Sequence, residues 1–351
     1  GAAAGPVFGG LLVQHLWWGA VFLINVPLLA VLLPLAARLL PESPSRPDQR
    51  WDAPSALLSM AGILALAFGL KEAGTGTTVP REAAVAILLA GVGLLAWFWR
   101  RQRRIPCPLL EVDLFAQRGF ATGVACVLLA VFALIGLQLM LAQYLQLVLG
   151  DSPIGAALRM LPLMAAAVVG GLSAAFVLRH AGLRATMSGG LLLTAASLVP
   201  PMTWGVEPHP VMLAVCFVGI GFGVEVALLA ASDVIMASVP ESRAGGAAAV
   251  EETAYELGGG LGIAALGTVT TAVYAPAVPA VPGVPAPALA QARESLASAA
   301  HVAAETGGAA GRTLLLAARS AFVTALHSTL MVSVTLLVLT ALAAAFLVPR
   351  R

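Results

Sequence analysis

The chain has 351 residues, of which 60% are hydrophobic and only 10% are charged, and its mean hydropathy is +0.94. A soluble domain carries about 25% charged residues, so a water-soluble globule is excluded. The net charge of +2 is scattered among separate segments, which gives no basic face for a nucleic acid.

Crossing the hydrocarbon takes about 20 mostly apolar residues. Such runs fall at about 17–37, 54–71, 83–99, 119–148, 153–178, 183–204, 211–237, 247–273 and 319–348, after a truncated run at 1–14. They predict an all-α polytopic membrane protein with about ten spans. The first run contains GPVFGG (Gly5 to Gly10). Gly and Pro weaken a helix in water by roughly 1 to 3 kcal/mol each, whereas a membrane helix tolerates them.

In chain order, two helices (1–37) lead into a Pro- and Ser-rich linker at 38–53, and two spans follow at 54–100. A basic linker at 101–118 contains most of the RRQRR cluster, which could dock anionic headgroups or simply anchor a helix end. Residues 119–348 then form a set of six spans, interrupted by a long loop at 274–318. That loop opens with a Pro/Ala tract, which predicts extended chain. Its Ala-rich second half predicts a short helix lying at the membrane interface.

If the loops alternate sides, 13 of the 19 Lys and Arg fall with the 38–53 linker and the C-terminus. The positive-inside rule makes that side cytoplasmic. The loop at 274–318 is then outside, and the location is the cell membrane.

Cysteine and histidine spacing suggests no metal site. There is no phosphate-binding loop, dinucleotide fingerprint or Ser/His/Asp order, which argues against an ATP-driven pump and against a membrane enzyme. No cofactor is expected; a proton gradient is the expected energy source. Gln138, Gln143, Tyr144 and Gln146 suggest a vestibule or an interfacial girdle, with Tyr144 read as interfacial. His327 reads as one lone polar group in the last helix.

Carboxylates inside spans are more informative, because each costs roughly 2.5 to 3.5 kcal/mol to insert. Glu225 lies mid-span, and Asp233 follows about 12 Å further along nearly the same face. A carboxylate there can exchange a proton for an approaching cation. The competing readings are a structural hydrogen bond for Glu225 and simple solvation at the helix end for Asp233. Glu251, Glu252 and Glu256 form a second cluster. Glu252 and Glu256 repel at one-turn spacing, and Tyr255 offers a ring face to a cation. The alternative is that these acids favour a helix N-terminus, a reading stronger for Glu251 than for the deeper Glu256.

Gly1, Gly5, Pro6, Gly9 and Gly10, followed by Trp17, Trp18, Phe22 and Ile24 to Pro27, resemble helices five and six of major facilitator transporters, in the 14-span drug–proton antiporter branch. Tyr144 to Pro162 and Gly219 to Val269 are similar to later helices of that branch. EETAYELGG is closest to exporters of quaternary ammonium compounds and methyl viologen. The resemblance implies a major-facilitator bundle with about ten of fourteen helices, the first four missing. It implies that the glycine–proline motif is a tight antiporter seam between the two halves, and that the acidic turn handles cations or protons. The expected function is proton-coupled efflux of lipophilic, cationic drugs, with protons, the bilayer and the missing N-terminal helices as partners. A non-transporting scaffold or degenerate fragment is the main alternative, and an importer of a small metabolite a weaker one.

Overall fold

The computed structural model describes residues 5–39, 52–75, 79–105, 108–206 and 208–348. Among them the regular elements are helical: α1 (Gly5–His15), α2 (Ala20–Leu23), α3 (Asn25–Leu39), α4 (Ala53–Thr75), α5 (Arg81–Gln102), α6 (Arg118–Gln143), α7 (Pro153–Arg159), α8 (Leu161–Leu198), α9 (Pro210–Ala237), α10 (Ala244–Ala277), α11 (Ala286–Ala292), α12 (Leu296–Thr306) and α13 (Gly308–Leu347).

Eight stretches of the described residues are long and apolar enough to cross a membrane. One of them, Leu161–Thr203, merges two of the expected spans. A straight α8 would reach about 57 Å, nearly twice the hydrocarbon thickness. It is broken at Gly182, whose φ of 76° and ψ of 160° are not helical and suit a residue without a Cβ. The chain reverses there. Leu163 in the first half and Thr194 in the second both reach the Gly221–Gly223 stretch of α9.

The core lies among α6, α8, α9, α10 and α13, where Phe120, Leu137, Leu191, Phe217, Ile220 and Leu330 are buried. Glycines set the closest approaches. A Cβ at Gly258 or Gly262 of α10 would stand 2.4 or 2.2 Å from the carbonyl oxygens of Leu128 and Phe132 on α6. A Cβ at Gly190 of α8 would stand 2.5 Å from the Gly223 carbonyl oxygen of α9. Small residues one turn apart thus bring backbones into direct contact, as membrane helices do in place of a hydrophobic drive. By contrast α3 buries none of its residues.

Helices α4 and α5 form a hairpin, and α4 also packs on α10. At one end of the bundle Arg101 donates to Asp52 over 3.0 Å, and the Ser55 hydroxyl donates to the same carboxylate. These donors, Ser55 first and then Arg101, hold the Asp52 carboxyl below the usual carboxylate range. The 101–118 linker is partly built into this end. Leu110 N–H donates to the Gln102 side chain at 3.1 Å, and Trp99, Phe115 and Phe120 form an edge-to-face series from α5 to α6. Cys107 and most of the 38–53 linker lie outside the described residues.

At the opposite, distal end two expectations change. Tyr144 is not interfacial: it is 0% exposed, stacks on Trp204 and donates to the Gly205 carbonyl at 2.8 Å. His327 is not a lone polar group either, since its Nε2 lies 2.8 Å from the Trp204 carbonyl oxygen. Both hold the turn between α8 and α9 through hydrogen bonds to its backbone, which a pattern of hydropathy does not reveal.

The 274–318 loop differs in where the last helix begins. Its Ala-rich part forms short helices as expected, α11 and α12, and α12 is built into the protein core. Leu296, Ala299, Val302 and Ala303 of α12 are buried, and α12 packs on α13. The last helix starts at Gly308 rather than near 319. Arg312 and Arg319 suggested a loop, yet helix formers surround them, and Arg319 is accommodated by donating to the Leu147 carbonyl at 3.0 Å.

Candidate functional site

The carboxylates singled out from the sequence lie on two adjacent elements, α9 and α10. Helix α9 places Glu225 near its middle, half-buried against α8. The side chain has room because α8 presents two glycines there. A Cβ on Gly170 would sit 3.3 Å from Glu225 Cβ, and one on Gly171 would sit 3.8 Å from Glu225 Oε1. Among the described residues Glu225 forms no hydrogen bond or ion pair, so the structural hydrogen bond weighed above is not seen.

Helix α10 supplies the other half. Tyr255 is 40% exposed, with Glu252 and Glu256 exposed on its flanks and Glu251 intermediate. The Tyr255 hydroxyl lies within electrostatic reach of Glu225, Glu256 and Glu252 together. Glu225 and the pair Glu252 and Glu256, 27 or more residues apart in sequence, are thus near enough for their charges to act on the same Tyr255 hydroxyl. Such a ring flanked by carboxylates can attract an organic cation by its π face and by charge.

The helix-terminus reading of the acidic turn weakens in the structure. Helix α10 begins at Ala244, earlier than the sequence suggested, so Glu251 already lies in its third turn. The partial charge of a helix end is felt only in the first turn. Asp233 stands apart, exposed near the end of α9.

Of the glycine–proline motif, Gly1 lies outside the described residues and Pro6 falls within α1. A Cβ at Gly5 or Gly9 would meet nothing within 4 Å, whereas one at Gly10 would stand 3.3 Å from the backbone of Pro153 and Ile154. Within this chain, then, Gly10 alone of the three makes a close contact, to α7.

Sequence reasoning passed over Glu72, which is 0% exposed near the end of α4 and receives the Val79 N–H at 3.4 Å. An acidic residue flanking the 54–71 run was the available signal. It also passed over Thr270 and Thr329, whose hydroxyls lie 3.0 Å apart and join α10 to α13. Neither touches the cluster around Tyr255. Among the described residues no group of His, Cys, Asp and Glu could hold a metal.

Comparison with known proteins gives a consistent picture. The sequence profile described as Major Facilitator Superfamily matches residues 1–263. Methyl viologen resistance protein SmvA of Salmonella typhimurium is 35% identical over 323 residues, covering 92% of this chain and 65% of that protein. Multidrug efflux pump LfrA of Mycolicibacterium smegmatis is 36% identical over 323 residues, covering 92% and 64%. The chain thus spans just under two thirds of the length of these relatives. A bacterial homologue of the human lysosomal transporter Spinster, solved in an inward-facing, unoccupied conformation, superposes with a TM-score of 0.51 at 20% identity, over 82% of this chain and 66% of that one. At that identity the likeness concerns the fold.

Proposed function

This chain belongs to the Major Facilitator Superfamily, and on that premise we propose that it works as part of a proton-coupled exporter of lipophilic organic cations in the cell membrane. The observation that carries the reading is Glu225, half-buried mid-span on α9 with no hydrogen bond or ion pair among the described residues, beside the α10 turn that bears Glu252, Tyr255 and Glu256. A carboxylate with no protein partner in a membrane span is costly. It becomes useful when a proton and a cation take turns neutralising it. The named relatives, a methyl viologen resistance protein and a multidrug efflux pump, support export over import. In this reading two helical bundles rock about a central substrate site to which α9 and α10 contribute.

The test is ethidium efflux from cells expressing the complete reading frame. Active efflux that stops when a protonophore collapses the gradient is expected. Accumulation identical to that in cells lacking the protein rejects export, and efflux indifferent to the protonophore rejects proton coupling.

The proposed orientation places the distal end outside and the C-terminus in the cytoplasm, following the basic asymmetry. Cysteines introduced at the exposed positions Pro282 and Arg104 should then separate. A membrane-impermeant maleimide added to intact cells should label the first and spare the second. The reverse pattern overturns the orientation.

A further inference from the structure

A hollow of about 480 Å³ opens at the distal end, within the size range of small-molecule sites. It lies where the end of α7, the turn between α8 and α9, and α13 meet. We propose that it holds the phosphodiester of an anionic phospholipid between Arg159 and Arg319. This inference is independent of whether the protein exports anything and of which leaflet the distal end faces.

Both arginines line this one hollow, and each is held through its Nε. Arg319 Nε donates to the Leu147 carbonyl at 3.0 Å, and Arg159 Nε stands 2.7 Å from Asp151 Oδ2. Among the described residues neither side chain has a further hydrogen-bond or charge partner. A guanidinium carries five N–H donors in a planar fork. The terminal nitrogens of both therefore keep their donors for an oxyanion, the group that this fork fits best.

Asp151 offsets one of the two positive charges, and among the described residues no carboxylate pairs with the other. Glu207, which the sequence puts between the lining residues Val206 and Pro208, lies outside the described residues. Two like charges about one hollow repel, and an anion between them removes that cost. Much of the remaining wall is apolar, with Val148, Leu149 and Leu316 on it. Such a wall suits the glycerol and first methylenes of a lipid better than a free, fully hydrated phosphate.

Depth in the membrane points to the same source. From Arg319 to Leu347, the last residue of α13, a helix rises about 42 Å. From Pro210, a lining residue and the first of α9, to Ala237 it rises about 41 Å. A bilayer with its headgroup regions is roughly 40 to 45 Å thick. With the far ends of α9 and α13 in one headgroup layer, the hollow lies in the other, among lipid phosphates. A zwitterionic lipid brings an ammonium to a site with positive charge in excess, and that mismatch selects against it.

The experiment uses protein purified in detergent from the complete reading frame and reads its melting temperature. The probes are dioleoyl phosphatidylglycerol, dioleoyl phosphatidylcholine and inorganic phosphate. Phosphatidylglycerol should raise the melting temperature at concentrations about tenfold lower than phosphatidylcholine, and inorganic phosphate should give no shift where the lipid saturates. Arg159→Gln should lose the preference for phosphatidylglycerol. So should Leu316→Glu, which adds a carboxylate from a side chain that is 62% exposed, and which decides the matter alone if Arg159→Gln does not fold. Arg104→Gln, at the other end of the bundle, should keep the preference. Equal potency of the two lipids on the unmodified protein overturns the proposal, as does a phosphate shift that matches that of phosphatidylglycerol. A preference that survives in folded Arg159→Gln or Leu316→Glu, or that Arg104→Gln also loses, overturns it as well.

Discussion

Glu225→Gln is expected to cut export of both ethidium and methyl viologen by about tenfold or more, whereas Glu252→Gln should cut methyl viologen export far more than ethidium export. The difference follows from charge. Leaving one positive charge of a dication unpaired in low dielectric costs several kcal/mol, and each 1.4 kcal/mol is about a factor of ten. A monocation needs one carboxylate, and Glu225 is the half-buried one, set deep against Gly170 and Gly171. A dication needs a second, and Glu252 lies on the adjacent α10, three residues before Tyr255. Glutamine nearly matches a protonated glutamate in shape, so lost packing does not account for either result. The readout is efflux of each drug at matched expression. Equal, mild effects on both drugs would remove these carboxylates from the transport reading.

Gly262→Leu should have the largest effect on folding. Its Cβ would lie 2.2 Å from the Phe132 carbonyl oxygen and 2.9 Å from the carbon that bears it. Backbone cannot yield as a side-chain tip can, so α6 and α10 must separate. Overpacking costs typically about 1 to 3 kcal/mol, and a forced shift of two packed helices belongs at or above the top of that range. Gly260→Leu, two residues earlier on the same helix, meets nothing within 4 Å and serves as the control. Size-exclusion profiles after detergent extraction should show a folded peak for Gly260→Leu and its loss for Gly262→Leu. Equal recovery of the two would mean that α6 and α10 do not touch through their backbones.

What the sequence determined by itself follows from composition acting over long runs. A 20-residue apolar stretch has few alternatives to a spanning helix, because unpaired backbone groups are prohibitive in hydrocarbon. The spans and the family resemblance were legible for that reason, and so was the break between 178 and 183, where Gly182 turns the chain. The candidate carboxylates were legible too, since each stands out against an apolar background. The nearness of Glu225 to Tyr255 was not: α9 and α10 are joined by a turn, and only the rotation of each helix about its axis decides which faces coincide.

The tertiary structure alone decided which glycines are seams. GPVFGG is conspicuous in the sequence, yet Gly5 and Gly9 face open space in this chain, while Gly258 and Gly262 bring two backbones together. A glycine's effect depends on what stands opposite it, and that is not a local property. The same holds at the distal end. Tyr144, His327 and Arg319 read as interfacial, lone and loop-bound, but each has a carbonyl partner 61 to 172 residues away. Hydropathy records what a side chain costs to bury, whereas the fold determines whether a partner removes that cost.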